Sequence, residues 1–332
     1  MTNEGQRDGD SSGGELGNDR ALHDQRAAHY EAHWSRLRDE MAPAFAAGLP
    51  LDQLLARHEA LNDSRYQGFI APQIARYLGR LDQRAFAGVA APDRLVVAEG
   101  RYQARPRADQ FAVLSAAVSG LADPQVDCIV EFGAGLGVNL GRLAQVLAPL
   151  GIHPTYVACE PAAGGRDFAA RLFAGGEHRF EAHEFDYLAP EFGFLGRFRR
   201  ILAFTCHSIE QVSVLGPAFH DGLLRLPLAG GLHLEPVGWQ RFTNVAAAVA
   251  EAHRSNQALQ WYRREYEYVL EDDRVVENAA AWAAASLYNT DLLAQVGRLT
   301  DAGRIGLAAL AFEIVGENPF NPSTLIAWRP GG

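Results

Sequence analysis

The chain contains no lysine: all 30 of its basic residues are arginine. This excludes a phosphate-loop lysine, a Schiff-base lysine and any lysine working as a perturbed acid or base. Cysteine is scarce as well. Cys128, Cys159 and Cys206 lie far apart, in or beside apolar strand-like runs and without C-x-x-C spacing, and they read as buried free thiols of a reducing compartment. No apolar run approaches the length of a membrane span. In the second half, His153, His178, His183, His207, His220 and His233 have neither H-x-H nor H-x-x-x-H spacing, so no metal is expected. Positive charge is also short, the net charge being −10, which argues against a nucleic-acid partner held through phosphates. Two local arginine groups, Arg101, Arg105 and Arg107 and then Arg197, Arg199 and Arg200, read as solvated flanks of strands. The first residues, MTNEGQRDGD, show neither an apolar signal core nor a basic amphipathic face, so a cytoplasmic protein is expected.

What is present suits one α/β domain with an added helical piece: 332 residues, 48% of them hydrophobic. The most informative stretch is Cys128-Ile129-Val130-Glu131, a short apolar run closed by an acid. Gly133-Ala134-Gly135-Leu136-Gly137 follows, and then a helical pattern at Leu140, Leu143, Val146 and Leu147. A strand that ends in a glycine turn opening a helix offers backbone N–H groups to a ligand in the crevice at the strand's carboxyl end. A dinucleotide fingerprint wants G-x-G-x-x-G, and its third glycine position is here Val138.

The glycines at 133, 135 and 137, behind Glu131, resemble motif I of the class I S-adenosylmethionine-dependent methyltransferases. The resemblance covers about residues 124–332. It implies a doubly wound, seven-stranded, mostly parallel α/β sheet of Rossmann-like type, closed by a hairpin whose last strand is antiparallel. It also implies S-adenosylmethionine as cofactor, held by Glu131, Gly133, Ala134, Gly135 and Gly137, with Cys206 beside it.

A second strand, Thr155 to Cys159, ends in Glu160, where one carboxylate can accept from both ribose hydroxyls. After a weak strand between His178 and Phe185, Asp186 and Tyr187 match by position the residues that receive the adenine in that family. A fourth strand, Arg200 to Phe204, runs into Cys206-His207-Ser208-Ile209-Glu210. This resembles the segment of small-molecule methyltransferases where the methyl group meets its acceptor, and makes His207 the candidate general base. Bracing of the turn is an equal alternative for His207. Glu210, Glu235 and Trp239 are candidates for the substrate side. Tyr288 joins them from an aromatic-rich helical insertion at about 240–291.

Residues 1–20 read as a disordered tail and 21–122 as a helical N-terminal region, including Trp34, Leu54, Ile70, Ile74 and Tyr77. Residues 123–332 form the cofactor-binding domain. The expected activity is O- or N-methylation of a small polar metabolite, a natural product or a peptide. Self-association into a homodimer is left open. A nicotinamide-dependent oxidoreductase remains the rival, since Glu160 would also suit an NAD ribose, and a non-catalytic cofactor-binding partner of another enzyme is a third reading.

Overall fold

The alternation of apolar residues along each strand decides the architecture. In the computed structural model, which describes residues 12–65, 94–105 and 109–332, strand β3 (Cys128–Phe132) sends Cys128, Val130 and Phe132 into one core and Ile129 into another. Strands β4 (Thr155–Cys159) and β6 (Ile201–Cys206) divide in the same way, with Tyr156, Ala158, Leu202 and Phe204 on one face and Val157, Cys159, Ile201 and Ala203 on the other. A strand buried on both faces needs helices on both, which is the layering of a doubly wound sheet.

Three helices cover the first face: α3 (Gln110–Leu121), α4 (Val138–Leu147) and α5 (Ala163–Phe173). In α4 the buried residues Leu140, Leu143, Ala144 and Leu147 recur at helical spacing and form one stripe against the sheet. Helices α1 (Ser12–Ala46) and α2 (Leu51–Arg65) pack outside this layer through Leu37, Met41, Leu54 and Leu55. The other face is covered by α6 (Ala218–Leu223) and, later in the chain, α10 (Leu292–Asp301).

The parallel core runs β5 (Phe180–His183), β4, β3, β6, β7 (Leu228–Glu235). Strand β9 (Ser323–Pro330) then enters antiparallel between β7 and β8 (Ile305–Gly316). These are the seven strands expected, closed by the expected antiparallel hairpin. Helices α7 (Thr243–Arg254), α8 (Asn256–Arg264) and α9 (Val275–Ser286) build the insertion, which has its own core around Trp239, Val249 and Ala279.

One expectation is corrected. The sheet has nine strands among the described residues, because β1 (Arg94–Ala98) and β2 (Arg101–Arg105) form a hairpin on the outer edge of β8, inside a region expected to be helical. Its signal was a β-branched run followed by Glu99-Gly100, both at positive φ, the backbone of a two-residue hairpin turn. Helix α1 as described begins at Ser12, within the segment expected as a tail, and residues 1–11 lie outside the described residues. Ile70, Ile74 and Tyr77 lie outside the described residues. No helix among the described residues is long and apolar enough to cross a membrane.

Candidate functional site

Parallel strands point their carboxyl ends in one direction, so the loops after β3, β4 and β6 meet at one edge of the sheet. The turn after β3 is fixed first: the N–H groups of Gly133 and Ala134 donate to Cys159 O at 2.7 and 3.0 Å. Gly133 and Gly135 have φ of +70° and +53°. A Cβ on Gly133 would lie 2.2 Å from Ser208 Cβ, and one on Gly135 would press on Trp34 of α1 at 3.3 Å. The turn therefore needs glycine for both conformation and space. Ser208 also donates to Phe132 O at 2.8 Å and shares a 2.8 Å bond with the Tyr187 hydroxyl, which stitches β6 to β3.

Above this turn lies a cavity of about 450 Å³, walled by Glu131, Gly133, Ala134, Gly135, Glu160, Tyr187, Cys206, His207 and Glu210 from the sheet side. Helix α1 supplies the other wall through His23, Arg26, Tyr30, His33 and Trp34. Glu31, Arg26 and Arg20 hold α1 there. Glu31 accepts from Gly164 N at 2.9 Å, and Arg26 donates to the carbonyls of Gln211, Ser286 and Leu287. Arg20 reaches Asp186 at 2.5 Å, and Tyr30 stacks on Trp34 with centroids 5.5 Å apart. These α1 residues were not singled out as site residues from sequence; their only trace is the dense aromatic and histidine run from His29 to Trp34.

Two buried carboxylates face the cavity. Glu160 accepts from Gly135 N at 2.9 Å through one oxygen and from Ala162 N at 3.1 Å through the other. Burial raises its pKa, although those two N–H groups resist the shift. Each oxygen keeps a further lone pair for a ligand hydroxyl. Glu131 is 1% exposed. One of its oxygens accepts from Asn139 Nδ2 at 2.7 Å, while the other is buried and has no hydrogen-bond partner among the described residues. Burial, helped by the charges of Glu160 and Glu235 against the pull of Asn139, pushes the Glu131 carboxyl up to about 8. A buried acceptor left open on a cavity wall suits a cationic donor.

His207 stands at φ +52°, at the end of β6, with both ring nitrogens engaged. Nε2 lies 2.6 Å from Ser323 Oγ, and Nδ1 lies 3.1 Å from Glu210 Oε2. Burial alone would lower the His207 pKa, but the Glu210 charge and hydrogen bond outweigh it and raise it. Glu210 shifts the opposite way: burial would raise it, and His207, Asn321 and Gln211 bring it down.

The remaining expected residues are dispersed. Asp186 precedes the cavity-lining Tyr187 but is not itself on the cavity wall, accepting from Leu188 N at 2.8 Å and paired with Arg20. Glu235, expected on the substrate side, is fully buried and receives the N–H groups of Ser208, Ile209 and Glu210 at 3.1 to 3.3 Å. It caps the turn after β6 and does not line the cavity. Trp239 is buried in the insertion core with its indole N–H on Pro236 O, and Tyr288 packs against that same core, so neither is on the cavity wall. A second cavity of about 400 Å³ adjoins the first and shares Trp34, His58, Asn62, Val138, Asn139, Cys206 and His207 with it. Its outer wall includes Asp109, Gln110, Phe111 and Arg142.

The strand order is that of a doubly wound, mostly parallel α/β sheet of Rossmann-like type, with one antiparallel strand inserted between β7 and β8 and a glycine turn after β3. No family model matches the chain, and no curated protein is similar to it. Among solved structures, the O-methyltransferase from Bacillus cereus in complex with S-adenosylhomocysteine is similar at 14% identity, over 81% of this chain and 96% of that one, with a TM-score of 0.36. The geranyl diphosphate C-methyltransferase from Streptomyces coelicolor A3(2) is similar at 13% identity, over 66% and 79%, with a TM-score of 0.39. The citrinin polyketide synthase CMeT domain matches at 15% identity and a TM-score of 0.33 over 61% of this chain, which spans 46% of that structure's length.

Proposed function

We propose that the protein is an S-adenosylmethionine-dependent methyltransferase acting on a small polar metabolite, a natural product or a peptide. One observation carries the reading: two buried carboxylates, Glu131 and Glu160, end adjacent parallel strands on either side of a glycine turn that has no room for side chains. Glu160 suits a ribose diol. The open oxygen of Glu131 suits the ammonium of an amino acid, a group that S-adenosylmethionine has and NAD lacks. Gly133, Ala134 and Gly135 would hold the same part of the cofactor, with Gly137 completing the turn. Tyr187 and Asp186 would receive the adenine, and Cys206 would stand near the sulfur.

When bound, the cofactor supplies an activated methyl group whose leaving group is already in place. The protein's task is therefore alignment within a near-attack distance of ~3–3.5 Å and exclusion of water. Trp34 lies over the turn at Gly135 with Tyr30 stacked on it, and the pair would shield a bound cofactor from water on that side. The adjoining cavity, which meets the first at Cys206 and His207, is the proposed space for the acceptor. Glu210 borders it only through His207.

For His207, the geometry favours positioning over proton abstraction. A general base needs a free lone pair near the acceptor, whereas its two nitrogens are taken by Ser323 and Glu210, and its raised pKa favours the protonated ring. The imidazole then fixes the end of β6 beside the reacting atoms.

The test is thermal melting and turnover with S-adenosylmethionine, S-adenosylhomocysteine and NAD. Stabilisation by the two adenosyl cofactors, with formation of S-adenosylhomocysteine once an acceptor is supplied, is the expected result. Stabilisation by NAD alone would replace this reading with the oxidoreductase one. Binding without turnover across hydroxyl and amine acceptors would leave a non-catalytic cofactor-binding protein.

A further inference from the structure

The outer strand β8 carries a surface that the cofactor cavity does not use. Its pairing with β9 runs through Leu307–Trp328, skips Ala308, and resumes at Ala309–Ala327 and Leu310–Ile326. An extra residue of this kind interrupts the alternation of faces, so Leu307 and Leu310 both stand on the face of Trp328 and Ile326. Both are exposed, at 42% and 44%, and every residue from Gly306 to Leu310 is exposed. On the other side of β8, β1 pairs only with Val315 and Gly316, and the hairpin tip ends with the N–H groups of Glu99 and Gly100 on Ile314 O and Glu313 O. From Ile305 to Phe312 the outer edge has no strand partner among the described residues. No charged residue lies between Arg304 and Glu313. Of the devices that normally blunt an edge, this one has a bulge at Ala308 but no lysine, proline or inward charge from Ile305 to Phe312.

We propose that this edge pairs with β8 of a second copy of the chain, antiparallel across a twofold axis, with Leu307 of one copy opposite Leu310 of the other. Cross-strand neighbours must share a face, and the skipped Ala308 is what lets these two residues do so. The contact is isologous and gathers four leucines into one cluster. The hairpin tip stops the incoming strand at Glu313, which limits the register. In that register Arg304, half-exposed just before β8 and paired in its own chain with Asp221 at 2.5 Å, comes beside the exposed Glu99 of the other copy's tip, where its remaining guanidinium N–H groups can reach that second carboxylate. Opposite charges thus meet at both ends of an uncharged stretch, in a chain whose net charge of −10 otherwise opposes self-association. A foreign strand could take the backbone edge but would lack this reciprocal contact.

The experiment is sedimentation equilibrium on the full chain. Wild type is expected to dimerise reversibly. The double variant Leu307→Lys/Leu310→Lys should dimerise at least tenfold more weakly, with unchanged circular dichroism and melting in dilute solution, because both leucines are exposed. Arg304→Glu should also weaken the dimer, and adding Glu99→Arg to it should restore association; this pair keeps the test decisive if the lysine variant folds poorly. Three results would overturn the proposal: a wild-type monomer at high micromolar concentration, a lysine variant that dimerises as tightly as wild type, or a synthetic β8 peptide that binds a chain which does not self-associate.

Discussion

Replacing Glu131 with glutamine should have opposite effects on the empty and the loaded protein. The folded-state pKa is about 8, against an ordinary 4.5, because the carboxyl is buried near Glu160 and Glu235. The group therefore stabilises the fold fully below about pH 4.5, and that contribution is lost as pH rises toward 8, since the unfolded chain releases the proton first. At pH 7 the interval amounts to some 2.5 pK units, or at most roughly 3 kcal/mol of cost carried by the native acid. Glutamine keeps an oxygen for Asn139 Nδ2 and never ionises. Unliganded Glu131→Gln should then melt higher at pH 7 by roughly 3–6 °C, with the gain vanishing toward pH 4.5. The carboxylate that accepts the cofactor's ammonium is lost at the same time, at about 2–3 kcal/mol, or roughly 30- to 150-fold in affinity. Wild type should also release up to about one proton on binding at pH 7, and the variant none. Melting curves across pH, with calorimetric titrations in two buffers of different ionisation enthalpy, measure all three. A melting difference that does not change with pH, together with an affinity loss under threefold, would refute the placement of Glu131.

Other substitutions separate the remaining parts of the site. Gly133→Ala drives a Cβ against Ser208 and should cost roughly 2–4 kcal/mol in denaturant unfolding, whereas Gly135→Ala, meeting only the edge of Trp34, should cost about 1–2. Glu160→Ala should weaken S-adenosylhomocysteine binding by roughly 30- to 150-fold in calorimetry, and a loss under threefold would put the ribose elsewhere. His207→Asn should lower stability and cofactor affinity together and leave the pH–rate profile in place; a fall of about 10²- to 10⁴-fold in turnover with affinity intact would instead make His207 the base. Burial lowers the pKa of His220 and His233, which touch each other at 3.3 Å in the sheet's second core. Their contribution is present above the ordinary histidine pKa and lost as pH falls below it, so urea unfolding should show stability declining below about pH 6.5, with a shallower decline in His233→Gln.

The sheet was legible because burial on both faces leaves a signature of its own: Cys128 to Val130 and Ile201 to Phe204 are continuous apolar runs, and each ends at chemistry. The places of the glycine turn and Glu160 were legible too: each follows an apolar strand, and the positive-φ glycines at 133, 135 and 137 mark the turn without any help from distant residues. Glu235 and Trp239 were not. Both follow a strand at the ligand edge, as Glu160 does, yet whether a carboxylate turns to the cavity or caps the next loop depends on which N–H groups stand nearby. For Glu235 these belong to Ser208, Ile209 and Glu210, more than twenty residues away. The wall made by Tyr30 and Trp34 was hidden for a related reason: an aromatic pair at helical spacing reads as core packing, and only the position of α1 across the turn gives it a role. The β1–β2 hairpin was missed although Glu99-Gly100 sits between two strand-like runs, because the helical pattern on either side suggested one continuous region.

The central claim is that Glu131, the glycine turn and Glu160 form one cofactor cradle, and the most direct measurement is a crystal structure of the protein with S-adenosylhomocysteine. The account predicts the ligand in the cavity beneath Tyr30 and Trp34, its ammonium on the open oxygen of Glu131 and its ribose hydroxyls on Glu160. A ligand bound elsewhere, or one in this cavity with its ribose away from Glu160 and its ammonium away from Glu131, would contradict it.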